Sequence, residues 1–204
     1  MQISALNYLP SEIDYPKLRE AVDRCKGCDL YKMATQAVFG EGPVATQVMM
    51  VGEQPGDEED KQGHPFIGPA GRLLDRALEE AGIDRSEVYM TNAVKHFKWK
   101  PAGKRRLHQK PNASEITACK PWLWSEIDVV RPKIIACLGA TAAQALMGND
   151  FRVTKMRGQW FEFEDGQKII ATIHPSAILR TPDIDREAEY RHFVSDLAII
   201  ARAM

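Results

Sequence analysis

In the stretch Gly103-Lys-Arg-Arg-Leu-His-Gln-Lys-Pro111, one histidine, His108, stands among Lys104, Arg105, Arg106 and Lys110. Lysine and arginine alone would hold a phosphate, so the imidazole calls for a second role. A neutral imidazole is a nucleophile and a general base, and neighbouring cations disfavour its charged form. The four cations suit phosphate contacts, although a solvated loop accounts for the same charges.

A second reactive stretch is GEQPGDEEDKQGHPFIGPAG, with five glycines and three prolines in twenty residues. It has no Lys-Ser/Thr after its glycines and no GxGxxG, so it is neither a Walker A loop nor a dinucleotide fingerprint. Gly52 lets a ligand approach the backbone. Glu53, Gln54 and Asp57 follow and could orient a water, hold an imidazole or stabilise a cation. Phe66 could stack on a base or simply anchor its loop. Asn92 pairs a donor with an acceptor, as a nucleobase edge requires; a strand-end turn would use it too. His174, in HPSAIL with Ser176, could donate to an anion or serve as a structural histidine.

The four cysteines are Cys25, Cys28, Cys119 and Cys137. Cys25-x-x-Cys28 closes a tight chelate, and seventeen residues separate Cys119 from Cys137. Four thiolates suit Zn²⁺ or an iron–sulfur cluster, and the spacing does not separate them. Cys119 and Cys137 also fit as small buried hydrophobes.

These groups need elements to hold them. Apolar runs ending in Gly or Asn predict strands at Gln47–Gly52, at EVYMTNAV and at KIIACLG, and a hairpin turning at Asp165-Gly166 that runs into His174. Helical spacing predicts helices over Pro10–Arg24, GRLLDRALEEAGI stopping at Gly82, a Ser114-capped segment, ATAAQALMG and the C-terminal stretch. The basic segment, with two prolines and a glycine, reads as a loop. Alternating strands and helices predict an α/β fold with a mostly parallel sheet covered on both faces. Ligands bind such sheets at the C-terminal strand edge, where the Gly52 loop, Asn92 and His174 fall.

At 204 residues, with 44% hydrophobic and 27% charged side chains, the chain reads as one soluble domain over 1–204. No apolar run is long enough to span a membrane. The start, MQISALNYLP, is not read as a secretory signal, so the expected location is cytoplasmic, where thiols stay reduced. Net charge is −1, yet residues 88–114 hold seven basic side chains and no acid. That asymmetry points to local contact with a polyanion.

The ordered set GEQPGDEED, HPFIGPAG, TNAV, the cysteine spacing and HPS resembles the uracil-DNA glycosylase superfamily, most of all its iron–sulfur branch. The insert KRRLH resembles the UdgX-type glycosylases, which form a covalent adduct with DNA. The resemblance implies a three-layer α/β/α sandwich around a four-stranded parallel sheet. It also implies a structural [4Fe–4S] cluster on Cys25, Cys28, Cys119 and Cys137, with zinc as the alternative. Phe66 would stack on an extruded uracil, Asn92 would read its edge, and His174 would stabilise the charge growing on it. His108 would attack C1′ with Glu53 orienting its ring. The partners implied are uracil-containing DNA, single-stranded included, and free uracil as product, with the enzyme acting as a monomer. Two rivals remain: a turnover glycosylase with water activated by Asp57 or Glu53, and a non-catalytic nucleic-acid-binding zinc module.

Overall fold

The apolar runs become strands buried on both faces. In the computed structural model, which describes residues 4–204, a short 3-10 turn over Ala5–Tyr8 precedes the first α-helix, α1, Tyr15–Val22. Residues 1–3, part of the expected domain and of the start read as lacking a signal, lie outside the described residues. Helix α1 starts at Tyr15 rather than Pro10 because the Asp14 side chain accepts the Lys17 amide and caps it there. There follow β1 (Val48–Gly52), α2 (Asp57–Gln62), α3 (Pro69–Ala81) and β2 (Val88–Asn92). Next come β3 (Trp99–Ala102), β4 (Arg105–His108), α4 (Ala113–Val130), β5 (Ile134–Leu138) and α5 (Ala140–Met147). The chain ends with α6 (Val153–Met156), β6 (Trp160–Glu162), β7 (Lys168–Thr172), α7 (Pro175–Arg180) and α8 (Asp183–Ala201).

The main sheet has the order β2-β1-β5-β7-β6. Its first four strands are parallel, and β6 runs antiparallel to β7. The α/β class and the helical layers on both faces match the expected architecture, but the sheet has five strands instead of four. The fifth is the first arm of the hairpin at Asp165-Gly166. At three residues it leaves little edge for further pairing.

Strand residues alternate between two cores, as a period of two requires. Val48, Met50, Ala136 and Ile170 pack with Leu74 and Leu78 of α3 and Phe193 and Leu197 of α8. Met49, Val51, Ile135 and Cys137 pack with Leu123 and Ile127 of α4 and Ala142 of α5. Each large aliphatic side chain so buried stabilises the fold by roughly 1.5–3 kcal/mol. The cap of α4 is Asn112, not Ser114: Asn112 accepts the Glu115 amide while Glu115 accepts the Asn112 amide. Among the described residues no helix is long and apolar enough to cross a membrane. The parallel register sets Gly52 beside Asn92 and Leu138 beside Thr172, so the strand ends open at one edge.

Candidate active site

The basic segment is not a loop. Strands β3 and β4 pair antiparallel, Trp99 opposite His108 and Ala102 opposite Arg105, and turn at Gly103-Lys104. The ribbon is polar and largely solvent-facing, so it lacks the apolar alternation that marks a strand in sequence. Gln54 clamps its root: its amide donates to the carbonyls of Lys98 at 3.2 Å and Gln109 at 3.0 Å, and accepts the Lys98 amide at 3.1 Å. Arg106 pins its flank. The guanidinium donates to Asp60 at 2.6 Å and to Asp57, and it lies 5.3 Å from the Trp99 ring and 5.4 Å from that of Phe97. Arg106 was expected to grip phosphate; it faces α2 instead. Lys104, Arg105 and Lys110 are exposed.

This ribbon carries His108 to the edge of the sheet. Its Nε2 lies 3.4 Å from Glu53 Oε1 with the ring 48% exposed, and Thr141 donates to the other Glu53 oxygen. Burial lowers the His108 pKa below its ordinary 6.5; Glu53 opposes the shift and Arg180 adds to it. The hairpin cations expected to tune the ring are not its source. Asp57 lies in the same cavity wall, but its carboxyl is held low: burial would raise it, and the bonds from Lys61 and Arg106 outweigh burial. An ionised carboxylate engaged by two cations is a poor base for water.

A cavity of about 370 Å³ is bordered by Gln54, Phe66, Asn92, His108, His174 and Ser176. The Asn92 Oδ1 is buried and accepts no hydrogen bond. An unmet buried acceptor costs about 1–3 kcal/mol, which a ligand N–H would recover. The Phe66 ring lies 6.2 Å from that of His174, at 30° to it. Two glycines permit this packing. A Cβ on Gly52 would come within 2.4 Å of Asn92 Oδ1 and 2.6 Å of the Phe66 ring. A Cβ on Gly71 would lie 1.7 Å from the Phe66 carbonyl oxygen, while Phe66 itself holds a strained φ of 58°. Gly71→Ala is therefore expected to destabilise the protein by roughly 1–3 kcal/mol. Chemical denaturation measures this, and a wild-type midpoint would show that Phe66 moves aside at no cost.

His174 Nδ1 accepts the Ser176 amide at 3.1 Å and lies 2.8 Å from Ser176 Oγ. The neutral ring then carries its hydrogen on Nε2, a donor for an oxyanion. Burial, with help from Arg180 and His108, lowers its pKa to about 4. Sequence reasoning missed Arg180, which donates to Ser176 Oγ at 3.1 Å. It also missed Glu59, a buried carboxylate that accepts the Gly68 amide at 2.8 Å in the cavity wall. The first is an exposed arginine near a chain turn and the second one acid among four, so neither carries a local signal. A larger cavity, about 730 Å³, opens where β5 and β7 begin, at the opposite edge, and holds none of these groups.

The cysteines divide. Cys25, Cys28 and Cys119 share one core region, where Cys25 Sγ accepts the Trp122 indole N–H at 3.1 Å and Cys119 Sγ the Lys95 amide at 3.2 Å. Burial first, then the neighbouring Cys28 and Cys25, raise the Cys119 thiol to about 12 against the opposing Lys95. Cys137 lies apart, on the α4 and α5 face of β5, and corrects the expected ligand set. Strand phase decides this: odd residues of β5 face that core. Cys25, Cys28 and Cys119 are the thiols that neighbour one another, and Cys137 is not among them. Among the described residues no three Cys, His, Asp or Glu side chains already form a group able to hold a metal ion. His96 is buried beside Lys95, and burial lowers its pKa to about 4 against the pull of Asp60.

The family model described as the Uracil DNA glycosylase superfamily matches residues 39–198. A Type-4 uracil-DNA glycosylase of Thermotoga maritima is 40% identical over 176 residues, covering 86% of this chain and 86% of that protein. One of Sulfurisphaera tokodaii is 39% identical over 181 residues, 85% of this chain and 79% of that protein. A Type-5 uracil-DNA glycosylase of Pyrobaculum aerophilum is 26% identical over 157 residues, 67% of this chain and 64% of that protein.

Proposed function

This chain belongs to the uracil-DNA glycosylase superfamily and is a uracil-DNA glycosylase of DNA repair, and we propose that it stays attached, through His108, to the sugar it strips of uracil. The observation that carries the proposal is His108 in the wall of the Asn92 cavity, 3.4 Å from Glu53. Uracil must leave the stack to be reached, because the glycosidic bond is inaccessible inside a duplex. Phe66 stacks on it and Asn92 Oδ1 accepts its ring N–H. The C1′–N1 bond then breaks, its electron pair leaving with uracil, and the His174 N–H stabilises the oxyanion. The lone pair of His108 closes on C1′, and Glu53 balances the positive charge that develops on the imidazole or takes its remaining N–H proton.

Lys104, Arg105 and Lys110 contact DNA phosphates, single strands included, and the enzyme acts as a cytoplasmic monomer. Cys25, Cys28 and Cys119 would hold a [4Fe–4S] cluster with a structural role; zinc on the same thiols is its rival, and visible absorption of the purified protein separates the two. No chemical step passes through this group.

The test is incubation with uracil-containing single-stranded DNA, followed by a denaturing gel and assay of released uracil. One equivalent of uracil with a denaturant-stable band is expected. Linear turnover without a band would replace the attachment by attack of water.

The pH dependence follows from the lowered pKa of His108. Only the neutral ring attacks, so the attachment rate should be flat above pH 6.5 and fall in acid, with its midpoint below 6.5. An acid limb centred above that value would sink the assignment. His174 adds a stability term of the same sign. Its folded value of about 4 lies below the ordinary 6.5, so the unfolded chain binds more protons between them. That stability is complete above pH 6.5 and is lost as the pH falls through 4.

A further inference from the structure

Lys95 and Glu126 form an ion pair with both side chains at 0% exposure. Withdrawing two charges from water costs several kcal/mol per ion, and apolar residues of similar volume would fill the same core. Every partner is nonetheless supplied. Lys95 Nζ donates to Thr91 Oγ1 at 2.7 Å, to the Asn92 carbonyl at 2.7 Å and to Glu126. Glu126 also accepts the Gly40 amide at 2.9 Å, the Tyr89 hydroxyl at 3.0 Å and the Thr91 hydroxyl at 2.9 Å.

The pair stands at a junction. The backbone amide of Lys95 donates to Cys119 Sγ at 3.2 Å, so one residue touches both the thiol group and the Asn92 peptide. Just beyond Asn92, the Ala93 amide donates to Gly52 O at 2.9 Å and the Val94 amide to Glu53 O at 3.0 Å. The turn from Asn92 to Lys95 therefore braces the base-reading amide and the backbone of Glu53 together.

We propose that the buried Lys95–Glu126 pair positions Asn92 for uracil recognition. The ammonium grips the Asn92 carbonyl from below, which sets Oδ1 in the cavity against Gly52 and Phe66. Lys95 and Glu126 touch no substrate; they act through Asn92. The inference rests on Asn92 as the residue that reads uracil.

The experiment uses the full chain as purified, a Lys95→Met/Glu126→Gln double variant, which removes both charges together, and Thr91→Val, which removes one shared hydroxyl. Three quantities are measured: the thermal midpoint, affinity for uracil-free single-stranded DNA, and inhibition by free uracil. The double variant should fold and bind uracil-free DNA as the wild type does, yet bind free uracil ~10-fold more weakly, the loss of about one well-placed hydrogen bond. Thr91→Val should shift the same way by less. Folded variants with wild-type uracil affinity would overturn the proposal. Should the double variant not fold, Thr91→Val decides alone, and unchanged uracil inhibition in it overturns the proposal. If wild-type protein releases no uracil and is not inhibited by it, the functional reading beneath the proposal fails first.

Discussion

His108→Ser will abolish the denaturant-resistant attachment to DNA while uracil is still released. The bond to C1′ comes from the imidazole, so removing it should lower adduct yield by roughly 10²-fold or more. The groups assigned to base stacking, edge reading and oxyanion stabilisation, Phe66, Asn92 and His174, are on other elements and stay in place. The vacated site is half-exposed, so water can reach C1′ beside Glu53. A stoichiometric burst of uracil should become continuing turnover, seen in a time course with excess substrate. Unchanged adduct yield in the variant would mean that another side chain attacks.

Arg106→Ala should cost more stability than any other single change in the hairpin. Asp60 is 0% exposed, and without Arg106 its carboxylate keeps little beyond the Thr35 amide. Breaking a buried pair by removing one partner typically costs about 3–5 kcal/mol, a large part of a domain's whole stability. The hairpin also loses its stacking on Trp99 and Phe97, so His108, two residues away, loses its support and attachment should slow. The salt dependence of DNA binding should stay unchanged, whereas Arg105→Ala should reduce its slope by ~1. Wild-type stability with a reduced slope in Arg106→Ala would return Arg106 to the phosphates.

The two variants separate the reactive group from its support. Adduct chemistry fails in the first with the fold intact; in the second both decline together. Denaturation profiles recorded beside the gels distinguish these outcomes.

Much was legible in the sequence because burial writes itself there. Strands β1, β2 and β5 are covered on both faces, so they read as continuous apolar runs, and α3 stops at Gly82 where its helical pattern does. The order of those elements already brought the Gly52 loop, Asn92 and His174 to one strand edge. The residue types there, acids, amides, an aromatic ring and the imidazole of His174, set what chemistry the edge could support.

Only tertiary structure decided how those groups combine. The β3–β4 ribbon is polar, so its pairing left no trace in hydropathy, and without it nothing delivered His108 to Glu53. The partners of Arg106 lie 46 and 49 residues away in sequence, and charge alone could not choose between carboxylate and phosphate. Cys137 was excluded from the thiol group by strand phase, which a spacing of cysteines does not encode. Sequence sets residue types and local periodicity; which side chains then meet depends on strand register and long-range packing, fixed only when the whole core closes.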